Sequence, residues 1–146
     1  MFLDDCFASD SAVATLAPYF DIRDFRVIFH AVDRTGKQNS VEDNPVIKKC
    51  HEEKWLLVTS DHEMVKTHVE EIKRNPNITI LATAHNTVTP EENRAWLAAL
   101  IKLKPTILRL YKKHPRPWFA TFSRQGNITS IKTITPEMRT RRTRPR

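Results

Sequence analysis

The chain has 146 residues and 40% apolar residues, enough for one domain that buries its own core without disulfides. Its net charge of +7 is unevenly spread: Arg139, Arg141, Arg142, Arg144 and Arg146 crowd the end, and without them the balance is +2. Two glycines, two cysteines and no long apolar run exclude a Walker or dinucleotide loop, a disulfide scaffold and a membrane span.

The first apolar run, Met1-Phe2-Leu3, reads as a buried strand that ends at Asp4, with Asp5 beside it. Asp10-Ser11 then caps a short helix over 12–19, with Val13, Leu16 and Ala17 on one face. Residues 25–32 read as a second strand and 33–44 as a polar loop around Gly36. Asn44 is a cap and Pro45 a first helical residue, so a helix runs from there to about Glu53 with Val46, Ile47 and Cys50 inward. Residues 55–59 form the next strand and lead into Asp61. A helix over 62–74 follows, and then a strand over 78–84.

Thr89-Pro90-Glu91-Glu92 is a helix start, with threonine as cap and proline first. The helix carries Trp96, Leu97, Leu100 and Ile101 at helical spacing, and Pro105 should kink or end it. Residues 118–123 and 128–134 flank Gln125-Gly126-Asn127 and read as a β-hairpin. Strand and helix alternate up to residue 111, which predicts an α/β fold with a mainly parallel sheet between two helical layers. In such sheets ligands bind beyond the carboxyl ends of the strands, where Asp4 and Asp61 both fall.

The acids at these ends have ordinary uses as well. Ser60-Asp61-His62-Glu63 spells a capping box, so Asp61 and Glu63 can simply start a helix. Asp43 has no such use, because Asn44-Pro45 already supplies a cap. Asp4 follows a buried strand with no helix starting immediately, and Asp5 adds repulsion. Charges so placed cost free energy unless something positive is near. Carboxylates converging at a strand end suit a hard divalent cation. Thr59 or Ser60 could orient a water or a ligand carboxylate, or serve as a capping hydroxyl.

Read together, these positions resemble the PIN-like nucleases, most of all the compact toxins of the VapC type. The matching pieces are Phe2-Leu3-Asp4, then Asp43-x-x-Val46-Ile47-x-x-Cys50, then Leu57-Val58-Thr59-Ser60-Asp61-His62-Glu63. They span roughly the first 85 residues. Two points depart from the family's pattern: Glu63 stands where aspartate is commoner, and Glu42 competes with Asp43 for the second acid, with Asp43 matching better by its offset to Val46.

The resemblance implies a three-layer α/β/α PIN-like fold over 1–135, with a C-terminal β-hairpin and a basic tail over 136–146. It implies a metal-dependent endoribonuclease, the toxin of a toxin–antitoxin system. Asp4, Asp43, Asp61 and Glu63 would be both the catalytic set and the ligands of Mg²⁺ or Mn²⁺. Implied partners are an RNA substrate, a cognate antitoxin and a second copy in a homodimer. A cytoplasmic location away from membranes is expected, since no leader pattern opens the chain. Lys48, Lys49, Arg94, Arg109, Lys112 and Lys113 are candidates for phosphate contact. Trp118 and Phe119 suit either base stacking or the core. The arginine tail suits a phosphate backbone or an acidic protein.

Two other classes remain. Asp4-Asp5, Asp61 and Thr83 follow the order of a phospho-receiver domain, though no lysine stands out after a fifth strand. A non-catalytic RNA- or protein-binding module would use the same acids only as caps. A haloacid-dehalogenase-like phosphatase is excluded, because Cys6 occupies the position of its second aspartate.

Overall fold

The computed structural model describes residues 1–4, 10–24, 43–61, 63–85 and 90–134. In chain order these form β1 (Phe2–Leu3), α1 (Asp10–Leu16), β2 (Arg23–Asp24), α2 (Asp43–Glu53), β3 (Leu56–Thr59), α3 (Met64–Thr67) and α4 (Val69–Arg74). Then come β4 (Thr79–Thr83), α5 (Pro90–Lys102), α6 (Lys104–Lys113), β5 (Trp118–Phe122) and β6 (Ile128–Thr133).

The strands make one sheet in the order β2-β1-β3-β4-β5-β6. The first five are parallel, and β6 runs antiparallel to β5. Alternation along each strand divides the core in two. Phe2, Leu57, Ile80, Ala82 and Phe119 face one side and pack with Val46, Ile47 and Cys50 of α2, Met64 of α3 and Ile72 of α4. Leu3, Val58, Leu81, Trp118, Ala120 and Phe122 face the other and pack with α1, α5 and α6 through Leu16, Trp96, Leu100 and Ile107. The chain is thus an α/β protein with helices on both faces of a mainly parallel sheet.

Several boundaries differ from the sequence reading. The first helix covers Asp10–Leu16 and not 12–19; it buries Ala12 and Leu16, while Ala17 is exposed. Pro18 accounts for the early stop, since a residue before proline is disfavoured in helical geometry. The second acidic helix starts at Asp43, two residues before Pro45. The helix expected over 62–74 is two helices, because His68 leaves helical geometry at φ −118°, ψ 31°. The next break falls at Leu103, and Pro105 sits in the first turn of α6. Trp118 and Phe119 lie in the core, 0% and 9% exposed, which removes them from base stacking. The strand expected over 25–32, the loop that follows it and the tail beyond 134 lie outside the described residues.

The end of α2 shows how local geometry sets the sheet register. Lys54 adopts φ 59°, and the N–H groups of Lys54 and Trp55 return to the carbonyls of His51 and Cys50 at 3.4 and 3.0 Å. This is the Schellman arrangement, with lysine where glycine is commonest. It turns the chain directly into β3.

Candidate functional site

The chain passes from β1 to β2 on one side and then crosses to β3 on the other. Such a reversal opens a crevice between the carboxyl ends of the two diverging strands. Asp4 follows β1 at one lip of this crevice, and Thr59, Ser60 and Asp61 come from β3 at the other.

The parallel register sets Leu3 beside Val58, and the Asp4 N–H donates to the Val58 carbonyl at 3.0 Å. One residue further, Asp4 and Thr59 meet on the face covered by α2 and α3. Asp4 is 4% exposed and Thr59 is fully buried. The Thr59 hydroxyl donates to Asp4 Oδ2 at 2.8 Å, and the same oxygen accepts the Asp61 N–H at 3.0 Å. Thr59 therefore does both things open to it in the sequence: it orients a carboxylate and it caps the turn after β3. A buried carboxylate without hydrogen-bond donors is costly, and the Thr59 hydroxyl supplies one such donor to Asp4.

Asp61 is half-buried and accepts the Glu63 N–H on Oδ1 at 3.0 Å. The Met64 N–H returns to the Asp61 carbonyl at 3.2 Å. The turn into α3 is thus built around Asp61, and Glu63, the N-cap residue, makes no side-chain cap bond of its own. Glu63 is exposed, with its carboxylate 3.7 Å from the Lys66 ammonium. Thr83, at the end of β4, donates to the His85 carbonyl at 2.6 Å and reaches the Ser60 carbonyl at 3.4 Å. It ties the ends of β3 and β4 together. The signal for both hydroxyls was visible: threonine closes each of the two central buried strands.

Asp43 is the first residue of α2. The short link through Lys54 and Trp55 makes α2 run opposite to β3, so its first turn lies toward the edge that carries Asp4 and Asp61. The side chain of Asp43 lies outside the described residues, as do Asp5, Glu42 and His62. Cys50, two turns further along α2, is close enough to feel the site. Burial pushes its thiol pKa up; the N-terminal ammonium opposes this, and the Asp4 carboxylate adds to it. Lys49 is paired with Glu53 at 3.3 Å and lies over the Trp55 ring.

Carboxylates suit a hard divalent cation in donor chemistry. Among the described residues, no three aspartate, glutamate, histidine or cysteine side chains gather as a cation site. The Thr59 hydroxyl links the Asp4 carboxylate to the backbone N–H of Asp61. Also among the described residues, no helix is long and apolar enough to cross a membrane. Comparison of the chain with protein-family models, with curated proteins and with solved structures finds no match.

Proposed function

We propose that this chain is a PIN-like, metal-dependent endoribonuclease that acts as the toxin of a toxin–antitoxin system. The observation that carries the reading is the buried Asp4, held by Thr59 at the switch point of a parallel sheet, with the Asp61 backbone N–H on the same hydroxyl. A fold has little reason to bury a carboxylate there for stability alone. Asp43, at the start of the helix over the same face, and Glu63 complete the proposed set.

In this reading Asp4, Asp43 and Asp61 would hold a Mg²⁺ or Mn²⁺ ion, and Glu63 would complete the set. The ion would supply an activated water and offset charge on the phosphodiester. Thr59 aims the Asp4 carboxylate, its hydroxyl donating to Oδ2. The substrate would be RNA, and the cognate antitoxin and a homodimer belong to the same proposal.

The test is cleavage of single-stranded RNA by the purified protein in Mg²⁺ or Mn²⁺. EDTA and Asp4→Asn should each abolish it, and induced expression of the wild type, but not of Asp4→Asn, should arrest growth. Full metal-dependent cleavage by Asp4→Asn would reject the site.

One observation favours a second reading. The parallel order β2-β1-β3-β4-β5 is also that of phospho-receiver domains, and Thr83 ends β4 as their hydroxyl does. After β5, however, comes Arg124, paired with Glu92 at 3.4 Å, and not a lysine. Labelling of Asp61 by acetyl phosphate would favour the receiver over the nuclease.

A further inference from the structure

Helix α6 buries Ile107 and leaves its neighbour Leu108 43% exposed. Among the described residues, Tyr19 is the other large apolar side chain left exposed, at 45%. One contact joins the two places. The Lys104 ammonium lies 5.8 Å from the centre of the Phe20 ring, which is half-buried against the core. Tyr19 precedes Phe20 in the chain, and Leu108 stands one turn beyond Lys104 on the same row of α6. Single exposed apolar side chains are ordinary, whereas a patch of them inside a polar rim marks an interaction surface. We propose that this surface, where α6 meets the link between α1 and β2, docks an acidic segment of a partner protein that carries an apolar anchor.

The rim is basic. Lys104 and Lys112 stand one turn before and one turn after Leu108. Tyr111, three residues on, donates its hydroxyl to the Lys54 carbonyl, which brings a third lysine to this flank of α6. None of the three lysines is within ion-pair distance of an acid among the described residues. Glu53, beside Lys54 in the chain, is paired with Lys49 at 3.3 Å. Asp21, beside Phe20, has the Met1 ammonium on its carbonyl at 3.0 Å, which offsets its charge. α6 has no acid of its own, and residues 93–134 hold nine lysines and arginines and no acid. The helix dipole favours Lys112 in the last turn but opposes Lys104, the first residue of α6. Lys104 is therefore not placed there for the sake of the helix.

The mixed chemistry selects the occupant. A second copy meeting this face across a two-fold axis would set the same lysines against themselves. A membrane needs more apolar surface than two half-exposed side chains supply, since even a whole acyl chain anchors only weakly. A phosphate backbone would use the lysines and leave Tyr19 and Leu108 without a role. An acidic polypeptide uses both groups: its carboxylates meet the lysines, and its apolar side chain meets Tyr19 and Leu108. The surface lies toward the amino ends of the strands, since Lys54 precedes β3 and Phe20 precedes β2. It is thus separate from Asp4 and independent of the nuclease reading.

The experiment is fluorescence anisotropy of a labelled random copolymer of glutamate and tyrosine with the full chain. Polyglutamate, an oligouridylate and phosphatidylserine vesicles serve as competitors, and the arginine tail is kept in every protein compared. The copolymer should bind more tightly than polyglutamate. Lys104→Gln/Lys112→Gln should weaken it about fivefold. Leu108→Gln and Tyr19→Ser should each remove the preference over polyglutamate at an unchanged urea midpoint. Unchanged copolymer binding in the double lysine variant overturns the surface, as does an intact preference in both apolar variants. An oligouridylate or vesicles that displace the copolymer, and themselves bind less well to the double lysine variant, would assign the surface to nucleic acid or membrane and overturn the proposal.

Discussion

Asp4 and Thr59 stand side by side on neighbouring strands, joined by a buried hydrogen bond of 2.8 Å. The same threonine oxygen receives the Asp61 N–H at 3.0 Å, so one hydroxyl satisfies a carboxylate and starts a turn. Thr59→Val keeps the shape and removes both bonds. It should destabilise the fold by about 1–3 kcal/mol, measured by urea unfolding, because the buried Asp4 carboxylate and the part-buried Asp61 N–H each lose a hydrogen bond. Thr59→Ser should recover most of that loss. A Thr59→Val protein as stable as wild type would show that Asp4 is satisfied by other means.

Lys54 pays a conformational cost at φ 59° for closing α2. Among the described residues its side chain makes no ion pair or hydrogen bond, and the Tyr111 hydroxyl uses only its carbonyl. Lys54→Gly should therefore stabilise the protein by about 1 kcal/mol, read as a higher urea midpoint at unchanged slope.

Gly126 presents the opposite case. It has φ +85°, and a Cβ there would lie 2.6 Å from Lys102 Cδ, whose Nζ donates to the Gln125 carbonyl at 2.9 Å. Gly126→Ala should cost about 1–2 kcal/mol in the same assay. Part of the loss should return in Gly126→Ala/Lys102→Ala, which clears the space but not the backbone strain.

Cys50 gives a prediction in pH. Its folded-state pKa is raised by burial, so the native protein keeps the proton where the unfolded chain, titrating near about 8.5, releases it. The stabilising contribution is full below that unfolded value and declines above it, by about 1.4 kcal/mol per pH unit. In a Cys6→Ser background, unfolding free energy should fall more steeply above pH ~9 than it does with Cys50→Ala added. Parallel curves would mean that the thiol is not shielded. Iodoacetamide should label Cys50 only after unfolding.

The core was the part most legible in the sequence. Val46, Ile47 and Cys50 turn inward as their spacing predicts, and the apolar run at 55–59 is a buried strand. Helix ends were less legible: Pro18 and His68 interrupt helices whose apolar periodicity continues past them. Periodicity records which face is buried, and backbone geometry decides where a helix stops.

What the sequence by itself determined is local: the alternation of strand and helix, the burial of each face, and an acid after each of two apolar runs. That follows because side-chain spacing and burial act over a few residues. Only the tertiary structure decided that β3 crosses to the far side of β1. That crossing sets Asp4 beside Thr59 across 55 positions of chain and lets one hydroxyl serve both Asp4 and Asp61. Strand order and register depend on packing both sheet faces at once, and no short stretch of residues contains that information.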